Sequence, residues 1–126
     1  MINEVINTAD APQPVGPYCQ AVAAGDFIFL SGQIPLDPRT GEVVGATIEV
    51  QARRTLNNCI AILHAAGKNV GDLVKVTVFL KDMSHFPIFN NIYAELLGTA
   101  RPVRSVVAVA ALPKDVLVEI EAVACR

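Results

Sequence analysis

The segment from Arg101 to Arg126, RPVRSVVAVAALPKDVLVEIEAVACR, constrains the fold more than any other stretch of this chain. Two apolar runs of β-forming residues, Ser105 to Ala111 and Val116 to Cys125, flank Leu112-Pro113-Lys114-Asp115, whose Pro and Asp suit a turn. Taken alone, the segment predicts a terminal hairpin. Arg104 opens the first run, while Glu119 and Glu121 alternate with apolar residues in the second, so a strand would project both carboxylates from one face. Charges in such apolar surroundings need a partner. Either these three form a structural ion pair or they meet a ligand, and spacing alone does not fix which glutamate lies nearer Arg104.

Upstream, the patterning switches between periods of two and 3.6 residues. Residues 2–6 (INEVI) predict a short strand, and Asp10 to Pro17, with three prolines and a glycine, predicts an irregular loop closed by Tyr18. Ala21 to Ala24 and Phe27 to Ser31 are strand-like and separated by Gly25-Asp26, a two-residue turn with Gly first, as a type II′ hairpin prefers. A turn-rich excursion follows, from Gly32 through Gly41 to Glu42–Val44. The spacing of Ala52, Leu56, Cys59, Ile60, Leu63 and Ala66 predicts a helix over 48–66, capped by Thr47 and closed by Gly67. Gln51, Arg53, Arg54, Asn57 and Asn58 fall largely off that apolar stripe. Leu73 to Leu80 reads as a strand and Phe86 to Leu97 as a second helix, with Ser84 as its cap and Gly98 at its end.

The resulting order, β, ββ, α, β, α, ββ, predicts an α+β domain spanning residues 1–126, with a mixed sheet and both helices on one face. Nothing in the chain is left to cover the other face. A hydrophobic fraction of 52% and a mean hydropathy of +0.44 are high for a small monomer, so association of subunits is expected to bury it. No apolar run approaches the roughly 18 residues of a membrane span, and the N-terminus has neither an apolar signal core nor an Arg-rich transit pattern. A cytoplasmic location is expected, consistent with three widely spaced cysteines, Cys19, Cys59 and Cys125, that suit free thiols. With net charge −2 and no basic cluster, composition argues against nucleic acid as a partner.

Familiar catalytic devices are missing. His64 and His85, the two histidines, form no ligand pair with each other or with Cys, and no serine or cysteine sits in a nucleophile motif. The glycines match no phosphate loop or dinucleotide fingerprint, so neither a metal nor a cofactor is expected. What remains is Arg104 with its two glutamates, together with Tyr18, which follows Val15-Gly16-Pro17 and is by itself more simply a packing residue.

The stretches GPYCQA (16–21), FLSGQIPLDPRTGE (29–42), VKVTVFLKDM (74–83), FNNIYAELLG (89–98), RPVRS (101–105) and ALPKDVLVEIEAVA (111–124) resemble the Rid family, also called YjgF/YER057c/UK114. The similarity spans nearly the whole chain. It implies a chorismate-mutase-like α+β fold assembled as a homotrimer, with ligand clefts between subunits. It also implies an enamine and imine deaminase, hydrolysing 2-aminoacrylate/2-iminopropanoate and 2-iminobutanoate, released by pyridoxal-phosphate enzymes, to 2-oxo acids and ammonia. The family's carboxylate-binding arginine falls on Arg104 and its water-positioning glutamate on Glu119. Its cleft tyrosine falls on Tyr18, its serine-glycine pair on Ser31 and Gly32, and its asparagine on Asn90. Where many members carry Cys, this chain has Val106, so any role at that position must come from the backbone. Pro-Val-Arg replaces the commoner Pro-Ala-Arg. Two other functions attach to the resemblance: an endoribonuclease or translation inhibitor, against which the acidic pI of about 5.6 weighs, and a 2-oxo-acid-binding trimer without turnover.

Overall fold

The computed structural model describes residues 3–126. Six strands and two helices follow one another as β1 (Glu4–Ile6), β2 (Ala21–Ala24), β3 (Phe27–Gln33), α1 (Ile48–Ala65), β4 (Leu73–Leu80), α2 (Phe86–Leu97), β5 (Val103–Ala108) and β6 (Val118–Cys125). The first strand falls inside the expected segment, whose Ile2 lies outside the described residues. Among the described residues, no helix is long and apolar enough to cross a membrane.

The strands form one sheet in the order β1-β2-β3-β6-β4-β5. All neighbours are antiparallel except β4 and β5. The expected hairpin of β2 and β3 is present, with Ala24 opposite Phe27 and Gly25 at φ +61°, a value glycine adopts without steric cost. The expected terminal hairpin is not. β5 pairs in parallel with β4, α2 supplying the crossover that a parallel pair requires. β6 then inserts on the other side of β4, against β3. The connection wraps around the end of β4, where the amide of Val109 donates to Leu80 O and that of Lys81 to Leu117 O. Turn chemistry at Pro113 is genuine, but it serves this wrap: Lys114 and Asp115 both adopt left-handed φ, +55° and +54°, a costly conformation for non-glycine residues.

Both helices lie on one face of the sheet, as the pattern predicts. Their apolar sides meet Ile28, Leu30, Val76, Val78, Leu80, Val118, Ile120, Ala122 and Ala124 in one core. Thr47 caps α1, its hydroxyl accepting from the amide of Val50 at 3.3 Å, and Gly67 follows at φ +73°. Ser84 does not cap α2. Instead Asp82 accepts from the Ser84 amide at 2.8 Å and starts a 3₁₀ turn, Met83–His85, that runs into the helix. Two polar residues of α1 also depart from expectation: Gln51 and Asn58 are buried. Asn58 donates to Ile34 O and Leu36 O, and Gln51 accepts from the Leu117 amide while donating to Gly45 O. They tie the 34–45 excursion and the start of β6 to the helix.

Among the described residues, nothing covers the opposite face. Register aligns Val5, Val22, Phe29, Val123, Lys75 and Val103 in one row across all six strands. Phe29 is 46% and Val103 64% exposed, beside exposed Phe27 and Val107.

Candidate active site

The candidate residues fall into two groups that the sheet keeps apart. The first surrounds Glu119. It lies on β6 opposite Phe79, and its side chain points to the uncovered face, as does Glu121. Beside it, β3 breaks register with β6 between Leu30 and Gln33, so the bulge falls on Ser31 and Gly32. A Cβ on Gly32 would stand 2.1 Å from Glu119 Oε2, so only glycine lets the carboxylate lie against the strand backbone. Ser31 Oγ donates to Cys19 O at 2.6 Å, and the Ser31 amide donates to Gln20 O. These bonds fasten the segment carrying Tyr18 to the bulge.

Gln20 completes that fastening. Its buried amide accepts from the Thr8 N–H and donates to the carbonyls of Thr8, Ala11 and Pro12, folding the proline-rich loop over the strand ends. A cleft of about 590 Å³ results, with Tyr18, Ser31, Gly32, Lys114, Glu119 and Glu121 among its walls. Burial pushes the Glu119 carboxyl above its usual range, and the neighbouring Glu121 charge adds to the rise.

The second group surrounds Arg104. Its register partner is Val76, which is buried beneath the helices, so the arginine points to the helical side of the sheet. There Phe86, Asn90 and Tyr93, spaced along one line of α2, receive it. Arg104 Nη1 donates to Asn90 Oδ1 at 2.8 Å, and its guanidinium carbon stands 4.6 Å from the Tyr93 ring centre and 5.6 Å from that of Phe86. A cleft of about 460 Å³ opens beside it, bounded also by Arg101 and Pro102. Val106 turns its side chain to the same side, packed against the core, and lies on the edge strand.

Arg104 and Glu119 therefore do not pair. They belong to strands separated by β4, project from opposite faces, and lie three residues apart in register, roughly 10 Å along the strand and as much again across it. Among the described residues, no carboxylate lies within ion-pair distance of Arg104. The structural ion pair left open by the sequence is excluded within the chain. Tyr18, Ser31, Gly32 and Glu119 are brought together, Arg104 and Asn90 are brought together, and the two sets are not joined. Gln20 and Tyr93 were missed by the sequence pattern. Gln20 gave no signal, being a polar residue just ahead of β2 whose buried amide serves carbonyls distant in sequence, and Tyr93 was legible only as packing.

Cys59 is buried in the core, where desolvation pushes its thiol up to about 12.

A family model described as Endoribonuclease L-PSP matches residues 8–126. The chain is 54% identical to a RutC family protein of Pyrococcus horikoshii over 125 residues, covering 99% of both chains. The chain belongs to the Rid (YjgF) family. Another Rid protein, the 2-iminobutanoate/2-iminopropanoate deaminase of Escherichia coli, is 48% identical over 128 residues, covering 99% of both. Among solved structures, E. coli TdcF with bound serine superposes with a TM-score of 0.93 at 47% identity, covering 98% of each chain. The six-stranded mixed sheet with two helices is thus the fold of structurally known Rid proteins.

Proposed function

We propose that this Rid protein hydrolyses 2-imino acids and their enamine tautomers, 2-aminoacrylate/2-iminopropanoate and 2-iminobutanoate, to 2-oxo acids and ammonia, in sites shared between copies of the chain. The observation that carries this is the split itself. A guanidinium on an edge strand with no carboxylate partner among the described residues, and a partly desolvated carboxylate in an open cleft, are the two charges such a reaction needs. One chain cannot bring them to one small ligand. The exposed apolar row on the uncovered sheet face supports association, for which a closed ring of three is the expected arrangement.

Arg104 would grip the substrate carboxylate through two parallel charge-assisted bonds, fixing the C=N carbon. Glu119 of another copy would take a proton from water as its oxygen bonds to that carbon. Glu119 returns that proton to nitrogen to give the carbinolamine, then relays the hydroxyl proton to the same nitrogen as ammonia leaves and the C=O forms. A carboxyl raised by burial toward the working pH is a better proton acceptor than an exposed one. Tyr18, Ser31, Gly32, Asn90 and the Val106 backbone would complete the cleft. Since imines hydrolyse in water unaided, positioning and polarisation suffice without a covalent nucleophile.

The description of the family model raises RNA cleavage as a second activity. The two glutamates in the larger cleft and the net charge of −2 disfavour phosphate binding there. A coupled assay separates the two. 2-Iminobutanoate is generated with threonine dehydratase and the surviving imine trapped with semicarbazide. Reduced trapping in proportion to added protein is expected, and unchanged trapping, with salt-sensitive RNA binding, would contradict the proposal.

A further inference from the structure

Arg104 is a half-buried charge without a carboxylate partner among the described residues, and a cation taken partly out of water needs some other compensation. One hydrogen bond, to Asn90, supplies part of it. The remainder comes from aromatic faces: both Tyr93 and Phe86 lie within the roughly 6 Å over which a ring quadrupole attracts a cation, and Tyr93 is the closer. Tyr93 is 8% exposed and is itself braced by Phe89, with ring centres 5.8 Å apart. Its hydroxyl is buried and makes no hydrogen bond among the described residues, so what it offers Arg104 is the ring.

We propose that Tyr93 is a positioning residue for the carboxylate clamp, its ring serving as the platform that holds the Arg104 guanidinium in plane while leaving its charge unneutralised. A glutamate in the same place would hold the guanidinium as firmly, but it would occupy the donors and cancel the charge that an incoming carboxylate must find. A π face compensates the cation from above and leaves the in-plane N–H groups free. Asn90, a neutral acceptor, takes one of those donors without cancelling charge. Phe86, Asn90 and Tyr93 share one face of α2, so one helical face supplies both the rings and the amide that meet the guanidinium.

Resting as it does on the clamp proposed above, this assignment is tested by a measurement that separates the two. Binding of 2-oxobutanoate to the native assembly is measured by calorimetry for the wild type, for Arg104→Ala, for Tyr93→Phe, and for proteins carrying phenylalanine with one, two or three ring fluorines at position 93. Fluorination drains the ring quadrupole with little change in shape. Tyr93→Phe is expected to bind within about twofold of wild type, and affinity to fall stepwise by a total of roughly threefold to thirtyfold across the fluorinated series, with the melting temperature unchanged. Affinity that depends on Arg104 but stays flat across the series would overturn the role of Tyr93 alone. Affinity that is indifferent to Arg104→Ala would overturn the clamp and the platform together.

Discussion

The two half-sites solve opposite problems of charge. Around Glu119, a strand bulge and a glycine make room for a carboxylate whose surroundings raise its proton affinity, since burial and Glu121 both disfavour the ionised form. Around Arg104, a helix face of two aromatic rings and an amide accommodates a cation with no counter-ion among the described residues. The first group is built by backbone irregularity and the second by side chains on a regular element. Neither charge is neutralised among the described residues, and this is what distinguishes the arrangement from a structural salt bridge.

The contrast is broken most severely at Glu119. Glu119→Gln keeps the shape and removes the base, and imine hydrolysis is expected to fall by about 10²- to 10⁴-fold. The same change should stabilise the protein at neutral pH. A carboxyl whose folded pKa lies above the ordinary 4.5 contributes stability below that value and loses it as pH rises through the folded pKa. The variant should therefore melt above wild type at pH 7, with the difference closing below pH 4.5. A lower melting temperature for Glu119→Gln at pH 7 would show that the carboxylate is compensated after all.

Arg104 should behave differently. Arg104→Lys retains the charge but loses the two-bond geometry, so turnover is expected to fall about 100-fold. Because no buried carboxylate is stranded by its removal, Arg104→Ala should cost far less than the roughly 3 to 5 kcal/mol typical of breaking a buried ion pair. Calorimetric unfolding beside activity on the same preparations checks both. An early-melting Arg104→Ala protein would make the arginine part of the scaffold.

Smaller effects test what holds the half-sites in place. Asn58→Ala would strip the carbonyls of Ile34 and Leu36 of their donor, costing about 1 to 3 kcal/mol by denaturant titration. At the lip of the Glu119 cleft, Lys81 bonds Asp115 at 2.8 Å on the surface. Asp115→Asn removes that charge while tolerating the left-handed φ, and should change stability by less than about 1 kcal/mol. A larger loss would mean that the ion pair, rather than the turn backbone, holds the lip.

Much of this was legible in the sequence because periodicity reports burial directly. The helices at 48–65 and 86–97, the Gly25-Asp26 hairpin and the strand at 73–80 all appear where the pattern puts them. The terminal hairpin failed for a definite reason: alternation specifies which face a strand buries and says nothing of its neighbour. β6 is half-buried whether it pairs with β5 or slips between β3 and β4. That single error hid the separation of Arg104 from Glu119, since a hairpin would have put them on adjacent strands. Gln51 and Asn58 were misjudged for a related reason, because a buried amide looks like a surface residue until the carbonyls it serves are known. The resemblance to the Rid family names the candidate residues individually, but their division into two groups is visible only in three dimensions.

The central claim, that one copy's Arg104 works with another copy's Glu119, is tested most directly by complementation. Arg104→Ala and Glu119→Gln proteins, each inactive alone, are mixed in equal amounts, dissociated and reassembled, and imine hydrolysis is measured. If every site takes its arginine from one chain and its glutamate from the next, random reassembly gives about one site in four with both residues intact, and activity should return to roughly a quarter of wild type. If both residues act within one chain, no intact site can form, and a reassembled mixture that stays inactive would contradict the shared site.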